Sequence, residues 1–172
     1  KKLDYFMGVN DTTNYFKSAI AYYDHYYMTI SVDSIKRTDS SRSRPPVNSK
    51  PSPDVSATSK SVIKTISYSP IAQYYTRELN NAAWYFYKNS SNPDMLSKAI
   101  EWSARSNEFF NNYDAMDTYA HLLFKTNNRN GAVVWLQKAI TLKKERGFNA
   151  ELLEKELSAI QSGALTIDLH EH

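Results

Sequence analysis

The chain carries four histidines and eighteen acidic residues, the groups able to move protons or hold metal at neutral pH. Their spacing commits none of them to either task. His25 stands among Tyr22, Tyr23, Tyr26 and Tyr27. A histidine beside phenols is able to shuttle protons, but a lone histidine on a helix face is more often structural. Glu151 and Glu154 fall on one helical face as a paired acid and base would, yet lysines surround them and ion pairing accounts for them. His170 and His172 flank Glu171, whereas an ordered metal site needs more ligands on rigid elements. No catalytic residue, metal ligand or cofactor is expected, and the chain reads as non-enzymatic.

A second group of residues suits binding rather than reaction. Arg77, Asn81, Trp84 and Lys88 recur at helical spacing, as do Asp114, Asp117, His121 and Lys125. Asparagine offers a paired donor and acceptor to a backbone amide, and arginine and lysine attract carboxylates. Trp84 adds flat apolar area at low entropic cost. Arg77, Asn81, Trp84, Lys88, His121 and Lys125 are therefore the expected contacts to a protein or peptide partner. The plainer account has Trp84 and Tyr87 packing against the N-terminal helix and the charges simply solvated.

Composition limits the scaffold that holds these residues. Hydrophobic residues make up 41% and aromatics 13%, enough to offset chain entropy with a core in a chain of this length. Four glycines in 172 residues weigh against a glycine-rich phosphate loop or a fold of many tight turns, which favours helices. Cysteine is absent, so no thiol chemistry or disulfide arises within these residues. No apolar run is long enough for a membrane-spanning helix. The opening at Lys1-Lys2 without methionine points to a mature or trimmed fragment. A net charge of +3 is dilute for a surface built to neutralise phosphates, which weighs against nucleic acid as partner.

Periodicity then divides the chain. Residues 1–30 hold a tyrosine-rich helix from Asp11 to Ile30, capped by Asp11 or Thr12, with a short helix before Gly8. Residues 31–64, rich in serine, proline and basic side chains, read as a mobile or extended linker. Within it Arg42-Ser43-Arg44-Pro45-Pro46 is a basic proline-containing docking motif or a solvated connection. Residues 65–163 carry five apolar stripes, with starts at Ser69-Pro70, Asn92-Pro93, Asp114, near Arg129 and at Asn149, and glycine stops at 147 and 163. Residues 164–172 form a short tail.

The stripes repeat. Ala99 and Ala132 are 33 positions apart and Ala83 and Ala120 are 37 apart, near the ~34-residue period of helical-hairpin repeats. Small residues at these positions let two helices approach closely. The runs Leu79-Asn80-Asn81-Ala82-Ala83-Trp84-Tyr85-Phe86-Tyr87, Lys98-Ala99-Ile100-Glu101-Trp102-Ser103, Asp117-Thr118-Tyr119-Ala120-His121-Leu122-Leu123-Phe124-Lys125 and Gln137-Lys138-Ala139-Ile140 resemble the tetratricopeptide-like C-terminal region of certain bacterial thioredoxin-family proteins. The likeness covers about residues 66 to 147. It implies an all-α fold of antiparallel tetratricopeptide-like hairpins in a right-handed superhelix. It also implies an interaction or scaffold role, an exported or periplasmic setting, and a neighbouring redox domain in a longer protein. The first helix of each repeat would line a concave face where peptides bind.

Two features depart from the family pattern. Asn127 replaces the usual turn glycine, and no proline stands near Asn111 and Asn112. The family's carboxylate-clamp pattern is also not reproduced, so capture of a free C-terminus is not expected. Two repeats are few for a stable stack, so the first and last helices are expected to cover its ends. The alternative to partner binding is a structural appendage, including a homodimer.

Overall fold

The computed structural model describes residues 2–9, 11–42 and 69–163, and within them every regular element is an α-helix. The elements are α1 (Lys2–Gly8), α2 (Thr12–Tyr26), α3 (Val32–Arg42), α4 (Pro70–Asn89), α5 (Pro93–Phe109), α6 (Tyr113–Lys125), α7 (Arg129–Glu145) and α8 (Glu151–Ser162).

Asparagine sets four of the eight helix starts among the described residues. Asn92 Oδ1 accepts from Asp94 N at 2.8 Å and Met95 N at 3.3 Å, and Asn112 Oδ1 accepts from Asp114 N at 2.7 Å and Ala115 N at 3.3 Å. Asn128 Oδ1 accepts from Gly131 N at 3.0 Å, and Asn149 Oδ1 accepts from Glu151 N at 2.7 Å. Each bond satisfies amides that a helix start leaves without an internal partner. The turn before α7 places Asn127 at φ 64°, the left-handed region that asparagine tolerates better than other side chains. Gly163, at φ 80°, ends α8 in the same region.

The start of α4 is capped from a distant part of the chain. Ser69 occupies the cap position but makes no side-chain cap bond, and Pro70 has no amide to offer. Asp39, on α3 and 2% exposed, supplies the carboxylate instead. It accepts from Ile71 N at 3.2 Å and Ala72 N at 2.8 Å. The expected linker is corrected over its first part, because Val32–Arg42 is a helix packed on α4 and α5. Val32 and Ile35 contribute its apolar contacts to the core. Serine and basic residues hid this helix from the compositional argument, and its local propensity is overridden by tertiary contact. Residues 43–64 of the linker, with most of the Arg42–Pro46 motif, and the tail 164–172 lie outside the described residues.

The core has two centres. In the first, Tyr15, Ala19 and Tyr23 of α2 and Tyr27 just after it meet Leu79, Phe86, Trp102 and Phe109 of α4 and α5. Phe16 and Phe86 meet edge to face at 4.6 Å, and Trp102 lies 5.2 Å from Tyr23. Buried Trp102 needs a partner for its indole N–H, and Nε1 donates to Asp24 on α2 at 2.9 Å. Arg105 of α5 donates to the Ile30 carbonyl at 2.6 Å, holding the chain just beyond α2. The second centre joins Met116 and Ala120 of α6 to Leu136, Ala139 and Ile140 of α7 and to Leu153 and Ile160 of α8. α4 packs along α5 and α6 along α7, and the two pairs meet through α5 and α6 and through α4 and α6. Ala83, Ala99, Ala120 and Ala132 are all buried to 1% exposure or less. A larger side chain at any of them would push neighbouring helices apart.

Candidate functional site

Among the described residues one face of α4 stays open. Gln73, Tyr74, Arg77, Asn80 and Asn81 form one wall of a groove of about 1580 Å³. Phe110, Asn111 and Asn112, between α5 and α6, and Leu142, Arg146 and Phe148, at the end of α7, also border it. A smaller hollow of about 250 Å³ adjoins it at Asn80 and Asp114 and runs on past Trp84 and Thr118 to Leu152 and Leu153 of α8. From Gln73 to Trp84 the wall is ~16 Å long at the helical rise, the reach of about five extended residues. Phe148 and Leu152 stand 54% and 62% exposed along it, and Tyr74 stands at the other wall. Helix register explains this face. Positions 73, 77, 80, 81 and 84 lie opposite the buried stripe of Ala72, Thr76, Leu79, Ala83 and Phe86.

The structure divides the six residues expected to meet a partner. Arg77 and Asn81 line the groove, and Trp84 lines the hollow. The indole of Trp84 stacks on Tyr87 at 4.9 Å and meets the His121 ring edge to face at 5.6 Å. Lys88 is exposed, with its ammonium 5.3 Å from the Trp84 ring.

Two of the expected contacts are engaged within the fold. His121 is 3% exposed and bound within the protein, so it offers no surface to a partner. Lys125 donates to the Tyr87 carbonyl and lies 4.8 Å over the Tyr87 ring. Burial holds its ammonium below the usual lysine range. The side chain is half-buried. Asp114 borders the groove, while the Asp117 side chain turns to His121.

His121 joins α6 to α8. Its Nδ1 lies 2.9 Å from the Asp117 carbonyl and 3.2 Å from Asp117 Oδ1, and its Nε2 lies 2.7 Å from Glu156 Oε1. Burial alone would push the imidazole toward its neutral form, but the bonds to the Asp117 and Glu156 carboxylates outweigh it. The pKa is pushed up to about 10, so the ring is a cation at neutral pH. Burial, followed by the charges on Glu156 and Asp117, pushes the neighbouring Tyr87 phenol well above its usual range.

Candidate ligand atoms of Asp117, His121 and Glu156 lie within 4.8 Å of one another. The two carboxylates meet opposite nitrogens of one ring, however. That arrangement suits an imidazolium donating from both sides, since an ion on one ring nitrogen would face away from the carboxylate at the other. Asp117 and His121 stand four apart on one helix, a signal visible in the sequence. The signal for Glu156 was its place among Leu153, Leu157 and Ile160 on the apolar face of α8.

The remaining chemistry-bearing residues are dispersed. His25 is exposed beside Tyr26, Glu151 pairs with Lys155 at 2.7 Å, and Glu154 pairs with Lys144. His170 and His172 lie outside the described residues. Among the described residues no helix is long and apolar enough to cross a membrane. No family model, curated protein or solved structure matches the chain.

Proposed function

We propose that the chain is a non-enzymatic protein- or peptide-binding module. In this reading α4 with α5 and α6 with α7 are tetratricopeptide-like antiparallel hairpins that stack into a right-handed superhelix. α2 and α8 cover its ends, and extended peptides lie along the α4 and α6 face. The observation that carries the proposal is the open track from Gln73 to Leu152, with Tyr74, Phe148 and Leu152 exposed along it. Exposed apolar side chains around a groove, with a few polar groups placed between them, mark an interaction surface. Burial of the four alanines at the expected close-approach positions supports the hairpin reading. The resemblance to the C-terminal region of thioredoxin-family proteins adds that the module serves a longer, exported protein.

The test is a display of random extended peptides selected against the full chain. Arg77→Ala with Asn81→Ala should release the selected peptides while leaving the melting temperature within a degree or two, about the effect of ordinary surface changes. Selected peptides that still bind the double variant would end the proposal.

A second reading, self-association as a structural appendage, is favoured by Tyr22 and Tyr26. They stand 40% and 56% exposed on α2, with rings 5.1 Å apart. Sedimentation that remains monomeric as concentration rises would remove it.

A further inference from the structure

We propose that the occupant of the track is an acidic segment, with carboxylate side chains set between apolar ones. The inference rests on the peptide-binding reading and adds the chemistry of the partner. Charge along the track is unbalanced. Lys36, Arg77, Lys143 and Arg146 border it, against Glu108, Asp114 and Asp117.

The acids are largely answered from within the protein. Arg105 holds Glu108 at 2.5 Å, and His121 holds Asp117 at 3.2 Å. The cations are less so. The Arg77 side chain is 67% exposed, and its nearest carboxylate is that of Glu78 at 3.7 Å. Arg146 donates to the Asn111 carbonyl at 2.6 Å, with its guanidinium carbon 5.6 Å from the Phe110 ring and 5.7 Å from the Tyr113 ring. Held in this way, the exposed guanidinium gives up less freedom on meeting a carboxylate, and the bond to Asn111 uses one of its five donors. The Lys143 ammonium lies over the Tyr113 ring at 5.2 Å. A basic, lysine-rich segment would meet like charge on both walls, which disfavours it as strongly as an acidic one is favoured. Tyr74, Phe148 and Leu152 supply contacts for the apolar residues between the acids.

The probes are two fluorescein-labelled peptides of about eight residues, enough to exceed the track in extended form. They share leucine and phenylalanine positions and carry glutamate in one and lysine in the other. Fluorescence anisotropy with the full chain at low and high salt reads the affinity. The glutamate peptide should bind at least tenfold more tightly than the lysine peptide, with the difference shrinking as salt rises.

Lys36→Glu with Arg77→Glu should weaken the glutamate peptide tenfold or more and strengthen the lysine peptide. Both side chains are exposed, and unchanged helicity by circular dichroism confirms that the variant folds. Asn81→Trp, which fills the track without changing charge, separates the two ideas. If both peptides bind equally and Asn81→Trp releases both, the track binds peptides and the acidic preference is wrong. If neither peptide binds, or if binding survives Asn81→Trp, both ideas fall.

Discussion

Replacing His121 with glutamine tests whether a buried cation holds α8 to the rest of the fold. In the wild-type protein the ring donates toward Asp117 and Glu156, and both carboxylates are buried. Glutamine leaves them without the positive charge that offsets their removal from water. Breaking a buried ion pair by removing one partner typically costs ~3–5 kcal/mol, a large part of the stability of a domain this size.

The pH dependence follows from proton counting. The unfolded ring gives up its proton near 6.5, while the folded ring holds it to about 10. Between those values the native state binds more protons, so stability falls as pH rises. The contribution is complete below 6.5 and gone above about 10. One proton gives a slope of at most ~1.4 kcal/mol per pH unit. Urea unfolding from pH 7 to pH 9, inside that window, should show this decline in the wild type and its loss in His121→Gln. A cost below ~1 kcal/mol, or an unchanged slope, would refute an imidazolium clamp. His121→Leu with Glu156→Leu should recover part of the loss, because an apolar replacement leaves fewer buried charges to solvate.

Three further outcomes follow. Asp39→Ala should destabilise the protein by ~1–2 kcal/mol in urea unfolding, since the Ile71 and Ala72 amides lose their acceptor and Ser69 makes no cap bond in its place. Asn127→Ala should cost ~1 kcal/mol and Asn127→Gly little or nothing, read from melting temperatures, because at φ 64° alanine keeps the Cβ but lacks the polar group that lets asparagine tolerate this backbone, whereas glycine has no Cβ. Trp84→Ala with Lys125→Glu should lower the melting temperature by several degrees, because Trp84 stacks on Tyr87 and Lys125 binds its carbonyl. A variant as stable as wild type would mean these contacts contribute nothing.

Punctuation carried most of the fold into the sequence. Pro70, Asn92-Pro93, Asn128 and Gly163 mark helix ends because proline, asparagine and glycine act through their own backbone and nearest amides. α3 escaped for the opposite reason. Its apolar content is slight, and what holds it is Asp39 reaching across the fold to α4. α2 was also read too long, since its stripe continues to Ile30 whereas the helix ends at Tyr26. The backbone turns there with Met28 N bonded to the Tyr23 carbonyl. The groove wall of Arg77 and Asn81 was legible because it is the complement of one helix's buried stripe. His121 was misplaced because its partner Glu156 lies on a different helix, and a polar residue on an apolar face carries no record of what it meets.

The bond from Asp39 to the start of α4 joins parts of the chain on either side of residues 43–68. Asp24 with Trp102, Arg105 with Ile30 and the aromatic packing of α2 against α4 and α5 bridge the same two parts. A protease cut between positions 42 and 69 would therefore yield two fragments that stay together through gel filtration and separate only in denaturant.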